Sequence, residues 1–189
     1  MHHHKIRGIY AITPDQILDI DVIEKIIIRH KINILQYRRK AADTITQLHE
    51  AQQLQQLCLK HHTLFIINDD INLAQKINAD GVHLGKNDPP IQQARLVLGA
   101  NAIIGVSSYN DIELAKNQQA QGANYIAFGA LFPSNTKPNA PHCTLNTLTE
   151  AKKTLNIPIV GIGGINFGNQ QSAFDAGCDA VAMISALFE

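Results

Sequence analysis

Gly8-Ile9-Tyr10-Ala11-Ile12, followed at once by Thr13-Pro14-Asp15, is the stretch that decides between two architectures. The apolar run reads as a buried first strand, ended by a proline that cannot continue it. An open doubly wound sheet that binds a dinucleotide would carry a glycine-rich phosphate turn at this point. Thr13-Pro14-Asp15 is not such a turn. Asp15 instead reads as a cap for the next helix, where Ile20, Ile23 and Ile27 recur at helical spacing beside Val22 and Ile26.

From there strands and helices alternate. Further strands are predicted at 32–36, 64–67, 81–84, 102–106, 125–128, 158–162 and 180–184. Helices are predicted at 44–61, before Asn78, and at 91–98, 111–121, 145–155 and 169–176. Eight apolar strands separated by helices imply a parallel sheet covered by helices, and the count favours a closed (β/α)₈ TIM barrel. It is read as a single domain over 1–189, with 1–7 an N-terminal extension. Met1-His2-His3-His4, native or tag-derived, is set aside. Only five residues follow the eighth strand, so the barrel is expected to be shortened at both ends and to lack most or all of its eighth helix. That would leave part of strand eight's outer surface uncovered, which is a reason to expect a homodimer.

Composition narrows the function classes. The chain has 189 residues, 45% hydrophobic and 17% charged, as in ordinary globular proteins. Sixteen basic and sixteen acidic residues give a formal net charge of zero, which argues against nucleic-acid binding by long-range attraction. No apolar run is long enough for a membrane span, and the N-terminus lacks a signal-peptide core. Cys58, Cys143 and Cys178 show neither disulfide nor zinc spacing, which favours a reducing cytoplasm.

Barrel enzymes carry their chemistry at the C-terminal ends of the strands. Strand two ends in Gln36-Tyr37-Arg38-Arg39-Lys40, strand three in Asn68-Asp69-Asp70, and strand four in Gly85-Lys86-Asn87-Asp88. Ser107-Ser108, Phe132-Pro133-Ser134-Asn135-Thr136-Lys137-Pro138, Gly163-Gly164 and Ile184-Ser185 follow the later strands. Gln36, Arg38 and Lys40 point one way if the extended backbone persists. Arg38, Lys40 and Lys137 then face Asp69 and Asp88, a set that suits Mg²⁺ shared with ligand phosphates. Gly163-Gly164 and Ile184-Ser185 lie where barrels bind a phosphate through backbone N–H groups. Each signal also has a plainer reading. Asn68-Asp69 and Asp88 could be helix caps, Gly163-Gly164 a tight turn, and His83 a packed, hydrogen-bonded barrel residue. Tyr37, Phe128 and Phe132 suit either a flat ring pocket or core packing.

Taken in order, Gln36-Tyr37-Arg38-Arg39-Lys40, Ile67-Asn68-Asp69, Gly81-Val82-His83-Leu84-Gly85 with Asp88, Gly105-Val106-Ser107, Phe132-Pro133-Ser134-Asn135-Thr136-Lys137 and Gly161-Ile162-Gly163-Gly164-Ile165 resemble the thiamine phosphate synthases. The resemblance runs from Tyr10 to Ser185. It implies that Gln36, Asn68 and Ser107 hold an aminopyrimidine and its diphosphate, and that Arg38, Lys40 and Lys137 bind the pyrophosphate leaving group. It implies Asp69 and Asp88 as Mg²⁺ ligands. Ser134 and Thr136 would help receive a thiazole phosphate and the diphosphate, with Gly164, Ile184 and Ser185 closing around the thiazole phosphate. Arg38, Lys40, Ser107 and Lys137 would be the catalytic residues of a dissociative transfer. This sequence departs from the family at Arg39, usually Glu, at Ala130, usually Pro, and at Ser134, usually Thr. Arg39 therefore either adds charge beside the pyrophosphate site or points outward. A thiazole tautomerase-like isomerase and a non-catalytic ligand-binding relative are the competing readings. A tautomerase needs no pyrophosphate–metal site, so Asp69, Asp88 and Thr136-Lys137 favour the synthase.

Overall fold

The computed structural model describes residues 6–133 and 142–188. Its elements follow in strict alternation: β1 (Gly8–Ile12), α1 (Ile20–His30), β2 (Ile34–Tyr37), α2 (Thr44–His61), β3 (Leu64–Asn68), α3 (Ile71–Ile77), β4 (Gly81–Leu84) and α4 (Ile91–Leu98). Then come β5 (Ile103–Tyr109), α5 (Ile112–Ala120), β6 (Tyr125–Phe128), α6 (Leu145–Thr154), β7 (Ile159–Ile162), α7 (Gln170–Asp175), β8 (Ala180–Met183) and α8 (Ser185–Phe188). All eight strands pair in parallel in chain order, and β8 returns to β1 through Gly8↔Ala180 and Tyr10↔Ala182, closing the barrel.

Side chains alternate across each strand and divide the apolar residues into two layers. Ile34, Ile66, Ile103, Val160 and Ala180 fill the lumen with Tyr10 and Tyr125. Leu35, Phe65, Ile67, Val82, Ile104, Ile126 and Phe128 face the helices in a larger outer cluster.

The helix entries correct one expectation. Asp15 does not cap α1; Asp19 does, accepting from the N–H groups of Asp21 and Val22. Asp15 accepts instead from the Ala41 N–H at 3.0 Å, on the loop after β2. Asp43, Asp70 and Asp111 cap α2, α3 and α5 in the ordinary way. Asp111 accepts from the Leu114 N–H at 2.9 Å. Asp111→Ala should therefore lower stability by about 1 kcal/mol, read as a lower denaturant midpoint at unchanged slope.

Two strand-end expectations are also refined. β5 runs on to Tyr109, and its register with β6 shifts between Ser107 and Tyr109. The eighth helix is a single turn. Even so, the outward residues of β8 are covered within one chain: Val181 is 0% and Met183 1% exposed, in the cluster that holds Ala173 and Leu187. An open strand eight is thus not a reason for a second copy. Among the described residues no helix is long and apolar enough to cross a membrane.

Candidate active site

The strand register sets which side chains meet inside the barrel. Ile12 pairs with Gln36, Gln36 with Ile66, Asn68 with His83, His83 with Gly105, and Ser107 with Ala127. Of these inward positions Ile12, Gln36, Asn68, His83, Ser107 and Ala127 line a cavity of about 850 Å³ at the C-terminal ends of the strands, a size suited to small ligands. Gln36, Arg38, Lys40, Asn68, Asp69, Asp88, Ser107, Gly164, Ile184 and Ser185 all line it. Ser134, Thr136 and Lys137 lie outside the described residues.

Asp69 and Asp88 face each other across this rim, close enough to hydrogen-bond. Lys40 Nζ lies 2.6 Å from Asp69 Oδ2. Burial alone would raise Asp69; hydrogen bonds from Lys40, Asp88 and Asn68 outweigh it and hold the carboxyl below its ordinary range. Asp88 moves the opposite way. Burial raises it and the facing Asp69 adds to that, although the Gly85 N–H, 2.6 Å from Asp88 Oδ2, works against both. Neither carboxylate is a helix cap, because Asp70 caps α3 and α4 starts after Pro90 without a side-chain cap. Among the described residues no three His, Cys, Asp or Glu side chains cluster as a metal cage. Two carboxylates nevertheless fit Mg²⁺, which takes one or two and fills its octahedron with phosphate oxygens and water.

The loop after β2 is held in place by the loop after β1. Thr13 Oγ1 accepts from the Arg38 N–H at 2.8 Å and donates to the Arg38 carbonyl at 3.1 Å. Arg38 Nη1 lies 3.6 Å from Asp15 Oδ2. Arg39 is turned away from the main cavity. Its side chain is 10% exposed, with Nη1 3.4 Å from Asp15 and Nε 3.6 Å from Glu50. The Arg39 charge is thus matched by Asp15 on the loop after β1 and by Glu50 on α2, away from the main cavity.

Other readings resolve plainly. Tyr37 is buried and its hydroxyl donates to Glu50 at 2.6 Å, while Phe128 belongs to the outer core and Phe132 packs against it. None of the three lines the cavity. Tyr10, Tyr125 and Tyr109 do, with His83 and Lys86. The sequence alone assigns none of these five a site role, although counting by twos from Gln36 across the register would have found Tyr10, His83 and Tyr125. His83 is hydrogen-bonded within the barrel, as expected. Gly164 has φ +64, and a Cβ there would lie 2.4 Å from the Pro133 carbonyl oxygen, so only glycine brings this turn to the cavity wall.

Comparison with known proteins agrees with this geometry. The model of a family described as thiamine monophosphate synthase matches residues 9–187. A thiamine-phosphate synthase of Thioalkalivibrio sulfidiphilus is 44% identical over 97% of this chain and 89% of its own length. One from Chromobacterium violaceum is 46% identical over 98% and 90%. The solved thiamine phosphate pyrophosphorylase from Pyrococcus furiosus superposes with a TM-score of 0.87 at 31% identity, covering 97% of this chain and 88% of that one. The match runs from the first strand to the last helical turn, so the chain belongs to the thiamine monophosphate synthase family.

Proposed function

We propose that this chain joins 4-amino-5-hydroxymethyl-2-methylpyrimidine pyrophosphate to 4-methyl-5-(2-hydroxyethyl)thiazole phosphate, giving thiamine phosphate and pyrophosphate. The observation that carries the reading is one cavity in which Asp69 and Asp88 face each other beside Arg38 and Lys40. A carboxylate pair flanked by cations suits a pyrophosphate leaving group held with Mg²⁺, and it favours the synthase over a tautomerase.

In this reading the pyrimidine methylene–oxygen bond ionises, pyrophosphate departs, and the thiazole nitrogen captures the carbocation. The step needs charge neutralised at the leaving group more than it needs a base. Arg38, Lys40 and Lys137 would hold the pyrophosphate, and Gln36, Asn68 and Ser107 the aminopyrimidine and its diphosphate. Gly164, Ile184 and Ser185 would seat the thiazole phosphate, with Ser134 and Thr136 reaching both it and the diphosphate. Asp69 and Asp88 would hold Mg²⁺, whose chemistry there is to neutralise negative charge on phosphate oxygens. Ile12, Ala127, Val160 and Ala182 give the cavity an apolar floor, which limits the water that could trap a carbocation. All three cysteines are buried and free, consistent with a cytoplasmic enzyme.

Incubating the purified protein with both substrates and Mg²⁺ is expected to yield thiamine phosphate and pyrophosphate in equal amounts. No product at any Mg²⁺ concentration would overturn the reading. Lys137→Ala should slow kcat by roughly 10²-fold, since it removes a charge that stabilises the departing group. A wild-type rate would remove Lys137 from the site.

A further inference from the structure

Under the rim, polar side chains from five strands form one hydrogen-bonded line. Gln36 Nε2 on β2 donates to the Tyr10 hydroxyl on β1 at 2.8 Å, and that hydroxyl lies 2.8 Å from the Tyr125 hydroxyl on β6. Tyr125 in turn lies 3.0 Å from His83 Nδ1 on β4, and His83 Nε2 lies 2.9 Å from Ser107 Oγ on β5. Tyr10 and Tyr125 are 1% and 0% exposed, so their protons are shared within the protein rather than with bulk water. Burial raises both phenols above their ordinary range, and each keeps a proton to donate.

The line has a direction. A phenol carries one proton, and a neutral imidazole carries one on its two nitrogens. With the Gln36 amide turned so that Nε2 donates, the Tyr10 oxygen accepts, and the Tyr10 proton goes to Tyr125. The Tyr125 proton then goes to His83 Nδ1, and His83 gives its Nε2 proton to Ser107. The reverse order would aim two donors at the Tyr10 oxygen and leave the buried Tyr10 proton without an acceptor on the line. In the favoured direction the Ser107 hydroxyl proton is left for the cavity, and Gln36 keeps Oε1 as an acceptor.

We propose that Tyr10, Tyr125 and His83 are positioning residues that couple Gln36 and Ser107 into one unit of fixed polarity, an acceptor on the β2 side of the cavity and a donor on the β5 side. Such a unit selects a ligand with an amino N–H toward β2 and a lone pair toward β5. An amino-substituted heteroaromatic diphosphate meets both requirements, and this selectivity rests on the function proposed above.

Two measurements test the unit, and only the second depends on that function. Long-range ¹H–¹⁵N spectra of the ligand-free protein, with the His83 signals identified by their loss in His83→Gln, should show a neutral ring protonated at Nε2. A ring protonated at Nδ1 would overturn the polarity. Tyr125→Phe removes one oxygen, keeps the ring, and should shift the Nδ1 signal; an unmoved signal would overturn the line itself. In the synthase assay Tyr125→Phe should lower kcat/KM for the pyrimidine pyrophosphate about 10-fold and Ser107→Ala about 30-fold, with the double variant still near 30-fold. A double variant down about 300-fold would show independent residues and overturn the coupling. If Tyr125→Phe does not fold, Tyr10→Phe breaks the line one bond further from His83 and is read through the double-variant cycle with Ser107→Ala. A wild-type protein without synthase activity would sink the proposed function, while the two spectroscopic outcomes would still decide the relay.

Discussion

Asp69→Asn is expected to lower Mg²⁺-dependent kcat by about 10³-fold or more, with the barrel intact. Asparagine is the informative replacement because Asp69 has φ 63, a left-handed conformation that Asn tolerates and alanine does not. Alanine would add backbone strain of about 1 kcal/mol and blur a loss of function with a loss of stability. Asparagine keeps the shape and removes the charge that meets Lys40 at 2.6 Å. Asp88→Asn should behave alike, since an amide oxygen can still accept from the Gly85 N–H, 2.6 Å from Asp88 Oδ2. The check is kcat as a function of Mg²⁺ concentration, with a thermal melt of each variant alongside. Unchanged magnesium dependence in both variants would contradict their assignment.

Much of this site is legible in the sequence because it follows local rules. Apolar runs bounded by Pro, Gly and Asp mark the strands, and alternation alone puts Gln36, Arg38 and Lys40 on one side. What the sequence does not show depends on partners far along the chain. Asp15 and Asp19 are both good caps by composition, and the choice is made by the Ala41 N–H and Arg39 on the next loop, which take up Asp15. The extension of β5 to Tyr109 depends on a register shift against β6. Tyr10, Tyr125 and Phe128 look alike within apolar strands. Their fates differ because the closed register turns the two tyrosines into the lumen and Phe128 toward the helices. The glutamate partner of Arg39 is likewise on α2, outside any local motif.

Gly105→Ala is expected to destabilise the barrel by about 3 kcal/mol or more, at or beyond the upper end for overpacking. The backbone at Gly105 is not left-handed, so the effect is steric. An added Cβ would lie 1.9 Å from Tyr125 Cζ and 2.3 Å from its hydroxyl oxygen. The ring has little room to yield: it is 0% exposed, meets Tyr10 edge-on, stacks on His83, and is held through its hydroxyl to both. Tyr125→Phe should not rescue the variant, because the contact at Cζ remains. Gly105→Ala combined with Tyr125→Leu should recover the melting temperature, because leucine vacates the space. It should not recover kcat/KM, because the hydroxyl that joins His83 to Tyr10 is gone. Recovery of both together would mean that the tyrosine serves packing alone. Recovery of stability alone would mean that position 105 is glycine to make room for a tyrosine that the cavity uses.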